Sequence, residues 1–348
     1  MTEVERIELA PGYTIARIIN GCWQLTPDHG GGPGSEKETL RIFAELVEHG
    51  FTTFDCADIY VGVERVLGKF RRSLAEPDKM QIHTKFAPDR NTLHALSDKD
   101  IDASIDRSLK RLGVEQLDLL QFHWWDYDTP GLHKLVDRLV RARQAGKIRL
   151  LGTTNFDTMH MREIIATGAH IASLQAQYSM LDRRPERQMA DLAAQTGVVL
   201  LPYGVLAGGF LTAKYLHTPP PSVMNRSLQK YRLIIDETGG WEAFQELLGL
   251  LDKIASRNGT SIGAIATRWV LDQPHVAAVI LGVGSQSRAS ENLALADLRL
   301  SDQDRQAIAR LLQEQVIPPG DMYELERDPD GPHTKIIKMN LHDEEERR

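Results

Sequence analysis

Short apolar runs alternate along the chain with longer segments whose apolar residues recur every three or four positions. The short runs have the length and composition of buried β-strands, and the longer segments have the period of amphipathic helices. The predicted strands are Ile18–Trp23, Thr52–Asp55, Gln81–Phe86, Leu117–His123, Ile148–Thr154, Ile171–Gln177, Val198–Tyr203 and Ala277–Leu281. The predicted helices are Glu36–His49, Val63–Leu74, Asp100–Leu112, Gly131–Ala145, Thr158–Thr167, Pro185–Thr196, Ser261–Leu271 and Gln286–Leu295. The chain therefore contains eight strand-then-helix units in succession.

Several predicted helices end at a glycine that is followed at once by an apolar run, as at Gly50, Gly113 and Gly197. Glycine accepts the left-handed conformation that ends many helices, and such short links are typical of parallel sheets. Eight units without a change in composition favour one α/β domain over residues 1–348, a closed (β/α)8 TIM barrel. An N-terminal β-hairpin is predicted at about residues 7–17, where a Pro-Gly pair marks the turn.

Two segments depart from the repeat. A long insertion after the seventh strand, Ala207–Asn258, contains a predicted helix at Trp241–Ala255. After the eighth unit, Asp302–Glu314 is predicted to be an extra C-terminal helix. The chain beyond it is rich in proline, glycine and charge, and from about 330 to 348 we expect a flexible, solvated tail. The insertion and the C-terminal segment are both candidates to cover the catalytic end of the barrel.

Composition excludes several classes of function. The formal net charge of -7 and the lack of a basic block argue against nucleic acid as a partner. No apolar run approaches the roughly 18 residues that a membrane helix needs. The N-terminus lacks the features of a secretory leader, and the only cysteines, Cys22 and Cys56, cannot form a disulfide framework in so long a chain. These observations predict a cytoplasmic protein with a small-molecule substrate. The oligomeric state is left open.

Candidate catalytic residues stand at the ends of predicted strands, where barrel enzymes build their active sites. Asp55 ends the second strand, Lys85 lies near the end of the third, and His123 ends the fourth, with Tyr60 in the loop after Asp55. Strand alternation can point these side chains inward. A buried carboxylate without a cation is costly, so Lys85 is predicted to pair with Asp55.

Each of these residues also has an alternative explanation. Asp55 could cap the next helix, and His123 could be a core histidine or a metal ligand. No second inward histidine or acidic cluster stands at ligand spacing, so no metal is predicted. Lys85 could form a Schiff base, as in a barrel lyase. Trp23 and Trp124 are most simply buried aromatic residues.

These residues, together with several longer motifs, give the chain a resemblance to the aldo-keto reductases. The pattern Asp-x-Ala-x-x-Tyr at Asp55–Tyr60 is accompanied by the lysine and histidine on the next two strands. The resemblance runs from the hairpin to about residue 300. Its further motifs, in order, are Gly152–Phe156, Gln175–Tyr178, Tyr203–Leu211 and Gly282–Asn292.

The resemblance implies reversible hydride transfer between a nicotinamide and the carbonyl or alcohol group of an aldehyde, ketone or sugar. Tyr60 would be the general acid and base. A free tyrosine has a pKa of about 10, so a nearby Lys85 ammonium would help by favouring the phenolate. Asp55 would hold Lys85 in place, and His123 would orient the substrate oxygen. By the same resemblance, Trp23 and Trp124 would wall the substrate pocket.

The resemblance also implies a nucleotide site, with NADP(H) favoured and NAD(H) possible. Tyr203 would lie against the nicotinamide, and the loop that ends at Leu211 would approach the diphosphate. Gly282 begins the segment expected at the adenosine. The carboxamide would be held by Thr154, Asn155 and Gln175, the 2′-phosphate by Arg288, and the adenine by Glu291 and Asn292. A nucleotide-binding regulatory subunit of the same fold is the alternative function. The substrate would be selected by divergent loops, among them Thr26–Ser35.

Overall fold

Eight parallel strands form the central sheet of the computed structural model, which describes residues 3–26, 34–222 and 225–342. Most of the predicted substrate loop Thr26–Ser35 therefore lies outside the described residues. The end of the predicted tail lies wholly outside them. The strands of this sheet are β3 (Ile18–Gly21), β4 (Thr53–Asp55), β5 (Gln81–Phe86), β6 (Leu117–Phe122), β7 (Ile148–Thr154), β8 (Ile171–Gln175), β9 (Val199–Leu200) and β10 (Val279–Gly282).

The sheet closes on itself, which confirms the predicted barrel. Its strand order is β10-β3-β4-β5-β6-β7-β8-β9. The remaining gap between β9 and β10 is bridged by main-chain hydrogen bonds from Ala277 N to Leu200 O at 3.0 Å and from Ile280 N to Pro202 O at 2.8 Å. Only two residues of β9 form a regular ladder, and Pro202, which lacks an N–H, lies two residues beyond its end. The seventh strand is accordingly shorter than the predicted Val198–Tyr203.

The predicted hairpin is present as β1 (Arg6–Ala10) and β2 (Tyr13–Ala16), which pair antiparallel. Tyr13 and Ile15 pack with the inward residues of the barrel, including Leu119. Inside the barrel, the Tyr13 hydroxyl lies 3.1 Å from Nε2 of His83. Burial lowers the pKa of His83 to about 4, so this histidine is a neutral core residue. The hairpin thus plugs the end of the barrel opposite the candidate site.

Helices surround the barrel, and their apolar faces pack against the outer apolar face of the strands in one continuous core. Several of the helices that follow the first six strands of the barrel have Ser, Asp or Gly as the N-cap residue. At the start of one of them, Ser97 forms a complete capping box with Asp100. They are α1 (Glu36–Glu48), α2 (Val63–Ser73), α3 (Asp98–Leu112), α4 (Leu132–Gln144), α5 (Thr158–Ala166) and α6 (Gln188–Thr196). Those of the last units are α9 (Ile262–Leu271) and α10 (Ala289–Asp297).

In its described part, the insertion after β9 contains two α-helices rather than the one predicted. These are α7 (Arg226–Glu237) and α8 (Gly240–Arg257). Asn225 caps α7 by accepting a hydrogen bond from the main chain of Leu228 at 2.8 Å. The inward face of α7 packs with α8, α9 and the predicted C-terminal helix α11 (Asp302–Glu314) in a second apolar cluster. The insertion is therefore a folded layer beside the barrel.

The segment beyond α11 packs against the barrel and includes a short helix, α12 (Glu324–Arg327). We expected a solvated tail from about residue 330, but the described part of that stretch is hydrogen-bonded to the loop after β5. The main-chain N–H of Arg90 donates to Met339 O at 2.8 Å, and the N–H of Leu341 donates to Asp89 at 2.7 Å. His342 lies between two carboxylates, 3.4 Å from Asp58 and 3.1 Å from Asp89. Residues 343–348 lie outside the described residues.

His342 is expected to make the stability of the C-terminal attachment depend on pH. Hydrogen bonds and the negative charges of Asp58 and Asp89 outweigh burial and raise the pKa of His342 above its usual 6.5. A raised folded pKa means that the stabilisation is complete below about pH 6.5 and is lost as the pH rises through the folded pKa. His342→Gln should therefore lower the free energy of unfolding by about 1–2 kcal/mol at pH 6 and by much less at pH 9. Urea denaturation of both proteins at the two pH values measures this difference, and an equal difference at both would contradict the ion-pair role.

Candidate active site

Asp55 is the centre of a buried polar network at the C-terminal end of the barrel. Lys85 Nζ donates to Asp55 Oδ1 at 2.5 Å and to the carbonyl oxygen of Cys56 at 2.8 Å. Amide nitrogens of Gln121 and Gln175 donate to Asp55 Oδ2 at 3.0 and 2.7 Å. Asp55 and Lys85 are both nearly inaccessible to solvent. The cation predicted for Asp55 is thus Lys85, and four strands, β4, β5, β6 and β8, converge on one carboxylate.

Tyr60 lies over this pair, in the loop between β4 and α2. The Lys85 ammonium is 5.2 Å from the centre of the Tyr60 ring. Trp23, in the turn after β3, packs edge-on against the same ring at 4.8 Å. Burial and then the negative charge of Asp55 raise the pKa of Tyr60 well above its usual value. This direction is opposite to the one expected from Lys85. The reason is that burial, reinforced by the negative charge of Asp55, outweighs the effect of the lysine charge, which Asp55 engages.

His123 follows β6, one inward position beyond Gln121, which pairs with Lys85 in the sheet. Its Nδ1 lies 2.9 Å from the carbonyl oxygen of Thr154. A carbonyl oxygen only accepts hydrogen bonds, so Nδ1 carries the proton. Burial, and then the positive charge of Arg327, lower the pKa of His123 to about 3. The ring is therefore neutral, and its Nε2, which has no hydrogen-bond partner in the described chain, is a buried acceptor.

The residues predicted to hold the nicotinamide lie together at the ends of β7, β8 and β9. The Tyr203 hydroxyl donates to Asn155 Oδ1 at 2.9 Å, and the main-chain N–H of Asn155 donates to Gln175 O at 2.9 Å. Asn155 adopts a left-handed backbone conformation with φ of 60°, which is uncommon for a residue with a side chain. The side-chain amide of Gln175 is already bound to Asp55 and Gln121. Thr154 and Gln175 therefore act in this structure as partners of His123 and Asp55.

The predicted diphosphate loop packs inward. Leu211 is fully buried in the cluster formed with the insertion, and its N–H donates to Leu206 O at 3.1 Å. Gly208, in the same loop, has φ of 66°, and a Cβ there would lie 2.6 Å from the Tyr231 ring. This glycine therefore makes room for α7. Neither the side chain nor the N–H of Leu211 is free in this structure for a diphosphate.

The residues predicted to hold the adenosine lie around the start of α10. Arg288 is the residue before the helix, and its guanidinium is 3.4 Å from the carboxylate of Glu291, with both side chains mostly exposed. Asn292 is buried, and its N–H donates to Arg288 O at 2.8 Å. Gly282 ends β10, and a Cβ there would collide with the side chain of Gln24. Of the residues predicted to hold the adenosine, Arg288 is thus an exposed cation at the N-terminus of α10.

The aromatic walls of the site differ from the prediction at one position. Trp124 is fully buried in the main apolar core, and its indole N–H donates to Thr129 O at 3.2 Å. The neighbouring Trp125 instead packs edge-on against His123 at 4.3 Å. Alternation along β6 explains the difference, because residue 125 shares the inward face with residues 121 and 123 while residue 124 points outward. Trp125, rather than Trp124, therefore lies against His123, and Trp23 lies against Tyr60, while the part of Trp23 and Trp124 in a substrate pocket stays a prediction.

The insertion and the C-terminal segment, which the sequence analysis named as candidates to cover the catalytic end of the barrel, contribute individual side chains to the site that it did not specify. Tyr323 lies edge-on to His123 at 5.6 Å, and its backbone is left-handed. Lys230 of α7 donates to the Tyr203 hydroxyl at 3.1 Å and lies 3.6 Å from Glu326. Glu326 also contacts Arg184 at 3.3 Å. A buried charge network therefore ties α7 and α12 together over the end of the barrel.

No group of three or more His, Cys, Asp or Glu side chains suitable for a metal ion occurs in residues 3–26, 34–222 and 225–342. Within the same part of the chain, no helix is both long enough and apolar enough to span a lipid bilayer.

Comparison with solved structures supports the barrel fold. The chain is similar to the glycerol dehydrogenase of Gluconobacter oxydans, with a TM-score of 0.73 and 24% sequence identity. The superposition covers 92% of this chain and 98% of that one. At this identity the likeness establishes the fold, a (β/α)8 barrel with its surrounding helices.

Comparison of sequences identifies the family. An NADP(+) aldo-keto reductase, yakc, of Schizosaccharomyces pombe is 26% identical over 301 residues, 83% of this chain and 86% of its own length. An NADH-specific methylglyoxal reductase of Escherichia coli is 26% identical over 319 residues, 84% of this chain and 93% of its own length. The model of the aldo/keto reductase family matches residues 17–313, which span every strand of the central sheet and the Asp55 network. The chain belongs to the aldo/keto reductase family of oxidoreductases.

Proposed function

We propose that this protein reduces a small aldehyde, ketone or sugar carbonyl with a nicotinamide cofactor, and oxidises the corresponding alcohol in reverse. The observation that carries the proposal is the position of the Lys85 ammonium. It is held by Asp55 at 2.5 Å and lies 5.2 Å from the centre of the Tyr60 ring. A phenol beside a fixed cation, at the catalytic end of a barrel, suits proton transfer to a carbonyl oxygen.

Tyr60 is proposed to donate the proton. Its phenol is protonated at neutral pH, as for any tyrosine, and burial and the charge of Asp55 raise its pKa further. When hydride reaches the carbonyl carbon, the oxygen acquires negative charge and becomes basic enough to take the phenolic proton. Lys85 would then stabilise the phenolate that remains, and Asp55 would keep the lysine in place. Solvent returns the proton to Tyr60 to complete the cycle.

His123 is proposed to orient the substrate oxygen as a neutral hydrogen-bond acceptor. Its Nδ1 proton is committed to Thr154 O, so Nε2 can accept from a hydroxyl group but cannot donate to a carbonyl. This arrangement favours binding of the alcohol and of the transition state in which the oxygen already shares the Tyr60 proton. A bound hydroxyl group also gives the buried Nε2 of His123 a hydrogen-bond donor, and leaving this acceptor unpaired would otherwise cost free energy.

The residues present fit a nicotinamide dinucleotide at its nicotinamide end and at its 2′-phosphate, but not at its diphosphate. When bound, such a cofactor supplies or accepts the hydride. Tyr203 and Asn155 would hold its nicotinamide end, near the orphaned Nε2 of His123. Arg288, exposed at the start of α10, would bind a 2′-phosphate because its surface pair with Glu291 is weak. The predicted diphosphate contact at Leu211 has no free donor in this structure. NADP(H) is therefore proposed over NAD(H) on the strength of Arg288.

The Schiff-base alternative is less well supported by the geometry. Lys85 donates to both Asp55 and the Cys56 carbonyl, so its nitrogen is engaged as an ammonium donor. A lysine that attacks a carbonyl needs a free lone pair. A cytoplasmic location and the lack of a nucleic-acid partner stay predictions from composition.

The proposed function is tested by binding and turnover together. Fluorescence titration with NADPH and NADH is expected to give the tighter dissociation constant for NADPH. Arg288→Ala should reduce that preference and leave NADH binding unchanged. Cofactor consumption is then measured on a panel of aldehydes, ketones and sugars. Absence of binding to both cofactors would overturn the proposal.

A further inference from the structure

Arg327 joins the ends of two neighbouring strands at the candidate site. It belongs to α12, beyond the residues 17–313 that match the family model. Its Nη2 donates to the carbonyl oxygens of Trp124 at 3.0 Å and Asn155 at 2.8 Å. The regular β6–β7 ladder ends with Phe122 opposite Thr153. The guanidinium therefore links the two strands two residues beyond the last rung of the ladder.

His123 and Thr154 lie between that last rung and the arginine. Trp124 is the residue after His123, and Asn155 is the residue after Thr154. The hydrogen bond from His123 Nδ1 to Thr154 O is thus enclosed by a backbone ladder on one side and by Arg327 on the other. If the two carbonyls moved apart, Thr154 O would be free to turn away from the imidazole.

The guanidinium itself is held in a fixed orientation. Its carbon lies 4.2 Å from the centre of the Tyr127 ring and 5.2 Å from that of Tyr323. Planar stacking on aromatic rings is favourable for arginine and is not reproduced by lysine. No ion pair of Arg327 with a carboxylate is formed among the described residues, and the nearby charges that act on the same Tyr127 ring are those of Asp157 and Asp321.

We propose that Arg327 is a positioning residue, which fixes the orientation and the neutral, Nδ1-protonated form of His123 by clamping the carbonyls of Trp124 and Asn155. The clamp comes from the C-terminal segment. The segment beyond the matched barrel is therefore required for the chemistry of His123, although it contains no residue that we place in proton transfer.

The electrostatic surroundings of His123 agree with this role. Arg327 is the positive charge that lowers the pKa of His123, after burial. The other titratable groups of the site are the phenols of Tyr60 and Tyr323, the Asp55–Lys85 pair, and Lys230. Loss of the arginine charge should raise the pKa of His123 from about 3 toward the ordinary 6.5. Imidazolium would then form at a higher pH than in the wild type.

The first test reads the imidazole directly and does not need turnover. In full-length protein labelled with nitrogen-15 histidine, the His123 signals are assigned by their loss in His123→Asn. The wild type is expected to show one protonated nitrogen and one bare nitrogen down to about pH 5. Arg327→Gln is expected to show a mixture of tautomers, or an imidazolium at a higher pH than in the wild type. An Arg327→Gln spectrum identical to that of the wild type at every pH would overturn the proposal.

The second test reads catalysis and rests on the proposed carbonyl reduction. Arg327→Gln should lower kcat by about ten- to a hundredfold, with little change in KM, and should extend the acidic loss of activity to higher pH. Arg327→Lys keeps the charge but loses the planar stacking on Tyr127 and Tyr323 that holds the donor nitrogen between the two carbonyls. It should retain the wild-type pH profile and still lose kcat. Wild-type kcat in Arg327→Lys would show that no clamp is needed and would contradict the proposal.

A matched arginine controls for stability. Arg183 also donates from Nη2 to two main-chain carbonyls, those of Leu312 at 2.6 Å and Gln315 at 3.2 Å, and it is buried. Arg183→Gln should destabilise the attachment of the C-terminal segment without changing the His123 spectrum or the pH profile of kcat. If Arg183→Gln reproduced both changes, the effect of Arg327 would be one of general stability and the proposal would fail. Lack of turnover in the wild type would instead count against the proposed function.

Discussion

Tyr60→Phe is expected to lower kcat by about 10²- to 10⁴-fold, the usual contribution of a positioned general acid. Phenylalanine keeps the ring that packs edge-on against Trp23 at 4.8 Å, so the fold and the pocket wall should be unchanged. Only the hydroxyl that donates the proton is lost. The measurement is steady-state turnover on the best substrate of the panel, with cofactor affinity determined in parallel.

A second buried tyrosine serves as the control for Tyr60→Phe. The Tyr178 hydroxyl donates to Glu186 at 3.0 Å, outside the Asp55 network. Tyr178→Phe should keep wild-type kcat. Cofactor affinity should be unchanged in both variants. A Tyr60→Phe protein with wild-type kcat would remove Tyr60 from the mechanism.

Lys85→Met is expected to abolish detectable turnover and to lower the free energy of unfolding by about 3 kcal/mol. Removing one partner of a buried ion pair leaves the other charge uncompensated, which typically costs about 3–5 kcal/mol. The loss should fall at the low end because Gln121 and Gln175 still donate to Asp55 Oδ2. Denaturant unfolding measures the stability, and cofactor consumption measures the activity.

A double variant separates the two effects of Lys85→Met. Asp55→Asn combined with Lys85→Met removes the uncompensated charge and leaves an oxygen that can still accept from Gln121 and Gln175. Stability should recover by about 1–3 kcal/mol relative to Lys85→Met, while turnover should stay absent. If Lys85→Met were as stable as the wild type, the pair would not be the buried ion pair described here.

Much of the architecture could be predicted because it depends on local patterns. Apolar runs and helical periods gave eight strand-then-helix units, and the observed sheet contains eight parallel strands in barrel order. The missed helix α7 also has a local signal. Asn225 is a typical N-cap, and the apolar positions 228, 231, 234 and 235 follow it with helical spacing. The polar residues between them, next to a run of prolines, concealed that signal.

The Asp55–Lys85 pair was predictable because the C-terminal ends of parallel strands meet at one end of the barrel, and a buried carboxylate there requires a cation. The tryptophan that packs against His123 was predictable too. Alternation along β6 indicates Trp125, whereas the family resemblance led to Trp124.

Other contacts could not be read from the sequence, because they join residues far apart in the chain. Gln175 reaches Asp55 across the barrel, and Arg327 reaches the carbonyls of Trp124 and Asn155. No local period or spacing encodes such pairs. The direction of the Tyr60 pKa shift could not be read from the sequence either. It depends on how deeply the folded chain buries the phenol and on how closely Asp55 engages Lys85.

Direct transfer of hydride from the cofactor to the substrate carbon is tested by isotopic labelling. The wild-type protein is given a carbonyl substrate and a reduced nicotinamide cofactor carrying deuterium on one face of C4, and then on the other. Mass and proton NMR spectra of the alcohol are expected to show one deuterium on the carbinol carbon, from one of the two labelled cofactors. An alcohol without deuterium from either cofactor, or with equal deuterium from both, would contradict hydride transfer in the site built on Asp55, Tyr60, Lys85 and His123.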